Sequence, residues 1–281
     1  MNDFAIPLKD WVNQAFERIV PFITPITNGI SEGLSVVIEK LEDVLLILPP
    51  WAMIVIIGII VGIFVNKKLG IFAGVCLLVL LGLDLWSQTM STLSIVLSGT
   101  IISLAIGIPL GIGASQNDMF EKIVRPILDF MQTLPSFVYL IPAVIFFGLG
   151  KVSALVAILI FSMPPAIRLT NLGIRQVPDE MVEAATAFGS TRMQILIGVQ
   201  LPLALPTIMA GVNQCIMMAL SMSVISAMIG GGGLGRNVLS AMQTVDIGLG
   251  VESGIAIVLL AILLDRITEK IANTKGNKRN G

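Results

Sequence analysis

Residues 175–206, RQVPDEMVEAATAFGSTRMQILIGVQLPLALP, form the longest polar-containing segment between two strongly apolar runs, and the reading of the chain is built around them. Pro178 suits a first helical position, because its missing N–H would be unpaired there anyway. Asp179, Glu180 and Glu183 then place negative charge near the positive end of the helix dipole. Ala184, Ala185 and Ala187 are strong helix formers of little bulk, and Gly189 can take the left-handed conformation that closes a helix. A second apolar helical segment is predicted from Met193 to Val199, with Pro202 and Pro206 breaking it before the next apolar run. The expectation is a short helix, a turn and a second short helix, held close to a membrane.

The spacing carries a resemblance. Glu183-Ala184-Ala185, three residues, Gly189, nine residues, Val199, one residue and Leu201-Pro202 resemble the EAA loop of ABC importer permeases, with Val199 where Ile is usual. The triplet alone is weak. The triplet with the spaced Gly and Leu-Pro, followed by apolar runs, is specific. The resemblance implies that Glu183, Ala184, Ala185, Gly189, Leu201 and Pro202 belong to a coupling helix that docks on a separate ATPase subunit. The plainer reading is an amphipathic connector lying on the bilayer.

Composition agrees with a membrane protein. Of 281 residues, 55% are hydrophobic and 12% charged, where a soluble domain carries charge on about a quarter of its residues. The mean hydropathy is +0.94. The fold class expected is all-α, a polytopic membrane helical bundle of about seven transmembrane helices. The net charge of −1, without a basic cluster interleaved with aromatics, argues against a nucleic-acid partner. Histidine is absent, and Cys76 and Cys215 each lie inside an apolar run, so the inventory offers neither a disulfide framework nor a zinc site. Gly150-Lys151 is followed by Val152 and makes no phosphate cradle, and no catalytic motif is present. The chain is therefore expected to be non-catalytic, with no cofactor of its own and with ATP and Mg bound on a partner ATPase.

From the start of the chain, Trp11, Val12, Ala15, Phe16 and Ile19 follow helical spacing, and Pro21 and Pro25 are expected to break it. Leu34, Val37, Ile38, Leu41, Val44, Leu45 and Leu48 form a second stripe, opposite Glu32, Glu39, Lys40, Glu42 and Asp43. Residues 1–48 thus suit the bilayer surface or a groove on the body. They do not read as a cleaved signal peptide. Seven spans are predicted, at about 46–65, 70–86, 93–114, 128–149, 152–167, 205–229 and 251–267. The fourth is interrupted near Pro135. Two accessory helices occupy 49–88, a five-helix core 89–271 with its loop at 169–204, and a basic tail 272–281.

Lysine and arginine orient the bundle, since they are retained on the cytoplasmic side. With the C-terminus in the cytoplasm and the N-terminus outside, twelve basic residues fall inside, among them Lys67, Lys68, Arg125, Arg168, Arg175, Arg192 and Arg266. Only five, Lys9, Arg18, Lys40, Lys151 and Arg236, fall outside. This orientation places Glu183 on the side where ATP is. The last five spans resemble the core of type I importer permeases. With the amphipathic beginning and Gly230 to Gly235, GGGGLG, the chain is most similar to permeases for glycine betaine and proline betaine.

That resemblance implies a multi-pass permease of the cell membrane, working by alternating access. Its partners would be a second permease copy, two ATPase subunits, an extracytoplasmic solute-binding protein and membrane lipid. On the outer side, Gly230, Gly231, Gly232, Gly233 and Gly235 would meet the binding protein or shape the outer mouth, or else merely end a helix. Asn213 and Gln214, with Met218 and Met222, would line the path, or else bond and pack between helices. A related solute such as choline or carnitine is the nearer alternative. An ion-coupled carrier is the more distant one, and it would want central intramembrane carboxylates, whereas Asp84 and Asp129 sit near span edges.

Overall fold

The computed structural model describes residues 8–277, so Lys278 and Arg279 of the basic tail lie outside the described residues. Among these residues every regular element is a helix. The chain begins with α1 (Leu8–Leu46), α2 (Pro50–Phe64), α3 (Lys67–Gly82) and α4 (Trp86–Gln116). Then come α5 (Asp118–Thr133), a 3₁₀ turn (Ser136–Tyr139), α6 (Leu140–Phe147) and α7 (Lys151–Arg175). The loop that opened the sequence reading supplies α8 (Asp179–Ala187), α9 (Arg192–Ile195) and a π turn (Leu196–Gln200). The chain ends with α10 (Leu201–Ile225), a 3₁₀ turn (Ser226–Ile229), α11 (Gly233–Thr244) and α12 (Ile247–Asn277).

The body is built on α4, α7 and α10. Lipid is as apolar as leucine, so close packing and polar bonds rather than water exclusion hold such helices together. Gly99, Ser103, Gly107 and Gly111 recur every four residues and lay one bare stripe along α4. A Cβ on Gly111 would stand 2.6 Å from the Ile167 carbonyl oxygen of α7, and one on Gly99 would stand 2.7 Å from the Ile158 side chain. In the middle of this seam the Ser103 and Ser162 hydroxyls meet at 3.1 Å. On the other flank of α7, Gly211 of α10 leaves room for Leu169 and the Pro165 carbonyl.

The span count differs from the expectation of seven. Four helices are long and apolar enough to cross a bilayer: α4, α7, the continuous run Arg192–Ile229, and Ile247–Ile271 of α12. Two bent pairs raise the number to six if each counts as one span. In one, α1 turns by 99° into α2, and in the other α5 turns by 108° into the helix ending at Phe147. Helices α2 and α3, of 15 and 16 residues, are each about 22–24 Å long, short of the roughly 30 Å of a bilayer core. They form a hairpin closed at the crossing of Gly70 with Gly58 and Gly62.

Two proline expectations are corrected. Pro21 and Pro25 lie inside one unbroken α1 of 39 residues. The Thr24 hydroxyl donates to the Val20 carbonyl at 2.7 Å in the same stretch, while the carbonyls that the two prolines leave without a helical N–H are those of Glu17 and Pro21. Pro202 and Pro206 likewise do not separate the loop from the next helix. The π turn precedes them, with the Leu201 N–H reaching back to the Leu196 carbonyl, and the helical run continues to Ile229.

Helix α1 packs on α4, α6 and α7. Phe16 meets Phe146 of α6 at 5.8 Å, Ile38 is buried, and Glu42 pairs with Lys151 at the start of α7 at 2.5 Å.

Candidate functional site

The loop between α7 and α10 is set by local capping at each step. Pro178 is the N-cap of α8 rather than its first helical residue, with φ −55° and ψ 133°, so Asp179 and Glu180 occupy the first turn. The closing turn is a complete Schellman motif: the Gly189 N–H donates to the Thr186 carbonyl at 2.9 Å, and the Ser190 N–H to the Ala185 carbonyl at 3.1 Å. Gly189 has φ +79°, which a residue with a Cβ adopts only at a cost of about 1–2 kcal/mol. Thr191 then starts α9 with a capping box, its hydroxyl accepting from the Gln194 N–H while the Gln194 side chain accepts from the Thr191 N–H at 2.8 Å. This box was present in the sequence as Thr-x-x-Gln and was not used in the sequence reading.

No residue of α8 is buried. Glu183 and Ala184 are exposed and Ala185 is half-buried. Phe188, at the tip, is 91% exposed, and Met181 and Met193 are exposed beside it. Glu183 makes no hydrogen bond or ion pair with the described residues. Leu201 and Pro202, the last residues of the motif, are half-buried where α10 begins. The element is thus a short helix, closed by its Schellman turn and with no buried residue, that exposes the carboxylates of Asp179, Glu180 and Glu183 and the ring of Phe188.

The glycine segment lies at the opposite end of the bundle from this loop. It is docked rather than free. Gly230, Gly232 and Gly233 have φ of +93°, +76° and +64°. The Leu234 N–H donates to the Thr92 hydroxyl of α4 at 2.8 Å, and a Cβ on Gly233 would stand 2.3 Å from that oxygen. The Gly150 N–H donates to the Ile229 carbonyl at 2.8 Å. Gly231 and Gly235 are buried, and Gly230 and Gly232 border an open cleft of about 460 Å³ with Arg236, Ser240 and Gln243. These glycines therefore have packing reasons that hold whether or not a partner meets them.

Of the residues expected along a path, Gln214 is exposed and Met218 half-buried. Met222 is fully enclosed. Asn213 donates to Asp265 of α12 at 2.8 Å, the helix-bonding alternative. Asp265 lies inside the seventh predicted span and escaped the sequence reading, although its charge was the available signal. Asp129 pairs with Arg168 at 2.5 Å. Among the described residues no group of three or more acidic or cysteine side chains could hold a metal.

Comparison with known proteins follows the same lines. Residues 103–272 match the family model described as binding-protein-dependent transport system inner membrane component. Over 271 residues the chain is 48% identical to the glycine betaine/carnitine transport permease protein GbuB of Listeria monocytogenes serotype 1/2a (strain 10403S), covering 94% of this chain and 95% of the relative. It is 42% identical over 277 residues to the glycine betaine/proline betaine transport system permease protein ProW of Escherichia coli (strain K12), covering 98% of this chain and 78% of the relative. Among solved structures, a chain of the inward-facing MetNI methionine ABC transporter superposes with a TM-score of 0.62 at 21% identity, covering 66% of this chain and 93% of that one. The last likeness concerns the fold.

Proposed function

We propose, from the premise that this chain belongs to the family of binding-protein-dependent transport system inner membrane components, that it carries glycine betaine or a related quaternary-ammonium or proline-type osmoprotectant across the membrane. The observation that carries the solute class is the near full-length identity to two glycine betaine permeases, 48% and 42%. Carnitine is the second reading, because the first of these relatives is named for both solutes.

In this reading the chain itself is non-catalytic. Two ATPase subunits bind ATP and Mg, a second copy of the chain completes the pathway, and a solute-binding protein delivers cargo to the glycine-loop end. The N-terminus is outside and the C-terminus in the cytoplasm, on the grounds of the basic residues gathered at the α8 end. Alternating access then runs through α8. Nucleotide binding draws the ATPases together, α8 moves with them, and the bundle changes which end is open. Moving a two-state equilibrium from 1:99 to 99:1 takes about 5.5 kcal/mol, all of which enters from the partner. The glycine segment and Arg236 would face the binding protein, and Gln214 and Met218 would face the path.

The test is uptake by the chain assembled with its ATPase and binding protein in vesicles, using glycine betaine, proline betaine, carnitine and choline in parallel. ATP-dependent uptake of glycine betaine is expected. Uptake that proceeds without ATP, or that excludes every quaternary-ammonium solute, would overturn the reading.

A further inference from the structure

Both ends of the α8 loop are tied to one corner of the body. At the entrance, Arg175 is the last residue of α7. Its Nη2 donates to the Ala114 carbonyl in the last turn of α4 at 2.9 Å and to Asp118 Oδ1 at 2.7 Å, and lies 3.1 Å from Glu121 Oε2. Its Nε donates to Asn171 Oδ1 at 3.0 Å, and Asn171 Nδ2 donates in turn to Glu121 Oε1 at 3.1 Å. At the exit, Gln116 Nε2 donates to Gln200 Oε1 of the π turn at 3.3 Å. Apart from Asn171 of α7 itself, every partner of Arg175 and Gln200 falls within residues 114–121, the elbow joining α4 to α5.

The elbow is itself stiff. Asn117 caps α5 by accepting from the Met119 and Phe120 N–H groups at 2.9 and 3.1 Å. The guanidinium sits where α4 presents its negative end and where α5 carries Asp118 and Glu121 in its first turn. Nη2 alone meets the carbonyl and both carboxylates, while the Nε bond to Asn171 of the same helix fixes how the planar guanidinium is turned, so one side chain ties the ends of α4 and α5 to the end of α7. The Arg175 side chain is 33% exposed and Asp118 is 78% exposed, so solvent screens the charge term and the contribution is mainly geometric. Further along α5, Asp129 pairs with Arg168 of α7. Between the two ion-paired points lies a cleft of about 270 Å³ lined by Glu121, Arg125, Leu128 and Asn171.

We propose that Arg175 is a positioning residue for transport, locking the entrance of the α8 loop to the α4–α5 elbow so that displacement of α8 is handed to α5 instead of being absorbed at residues 176–178. The proposal rests on the coupling role given to α8 above. Glu121 and Asn171 hold the fork, and Gln116 with Gln200 is the exit counterpart.

The experiment reads glycine betaine taken up and phosphate released in the same vesicles containing the full complex. Arg175→Gln is expected to lower uptake per ATP by more than about twofold and up to about thirtyfold, the range by which single residues along a coupling route act, while the ATPase remains bound. Arg175→Lys keeps the charge without the Nε bond to Asn171 and is expected to fall between. Adding Asp118→Asn and Glu121→Gln to Arg175→Gln is expected to lower the ratio no further. A ratio within about twofold of the parent for Arg175→Gln, below the range of such coupling effects, overturns the proposal, as does a further independent loss in the combined variant. Should Arg175→Gln not accumulate in the membrane, Arg175→Lys is read against the same twofold criterion. If the parent chain recruits no ATPase, the coupling role of α8 itself fails. If it recruits the ATPase and the ratio is unmoved, only the Arg175 lock fails.

Discussion

Val245 closes α11 in the left-handed region, with φ +55° and ψ +36°. A β-branched side chain resists that conformation, at a cost of about 1–2 kcal/mol, and Val245 is 80% exposed, so burial returns little. Val245→Gly is therefore expected to stabilise the fold by about 0.5–1 kcal/mol after the added chain entropy of glycine is subtracted, seen as a higher Tm of the purified complex. Glu183 behaves in the opposite way. It is exposed and unbonded among the described residues, so Glu183→Ala is expected to change stability by less than about 0.5 kcal/mol. Its uptake of glycine betaine should nonetheless fall at least tenfold, which a transport assay beside a thermal melt separates. At this scale the sequence was legible where a residue's role is local. Gly189 was identified from its position alone and has φ +79°. Asp265 was missed although its charge stood inside the seventh predicted span, and only its partner, Asn213, needed the fold to be seen.

At the scale of elements, α8 was legible because its start and stop are chemical signals within a few residues: Pro178 before it, two acids in its first turn and Gly189 after it. The π turn and the unbroken α1 were not. A proline's effect depends on whether other groups satisfy the freed carbonyl, and that information sits in neighbours rather than in the proline. The stripe Gly99, Ser103, Gly107 and Gly111 was readable at its spacing of four, yet passed over. Its meaning lies in the approach of α7. Since α8 buries none of its residues, its amides are held by the helix alone and should open with little free energy. Hydrogen exchange is expected to be fast over residues 180–188 in the chain alone and slowed by at least tenfold when the ATPase binds. Protection confined to some other segment would contradict the docking role.

For the molecule as a whole, the predicted seven spans resolve into four helices of full length, two bent pairs and the short α3, which forms a hairpin with α2 of the first pair. Hydropathy reports which residues tolerate lipid and does not carry the 99° turn, whereas the 108° turn falls at Pro135, where the fourth span was expected to be interrupted. The matched family region begins at residue 103, after the hairpin, whose two helices close chiefly on each other at Gly58, Gly62 and Gly70. A chain of residues 84–281 is accordingly expected to enter the membrane and still recruit the ATPase. Its Tm should be lower, because Ile38 and the Glu42–Lys151 pair are lost from the body. Co-purification and a melt of the same sample check both parts.

A final consequence follows from the right angle between α1 and α2. A helix of 39 residues is about 58 Å long and about 10 Å wide. With α2 upright, α1 lies along one leaflet beside α4, α6 and α7, and the part of its roughly 600 Å² that the body does not cover is taken from that leaflet alone. Lipid on the two sides must then be unequal in number around each copy, and the surrounding sheet is biased to bow toward the crowded face. Vesicles of different diameter would not receive this protein equally well.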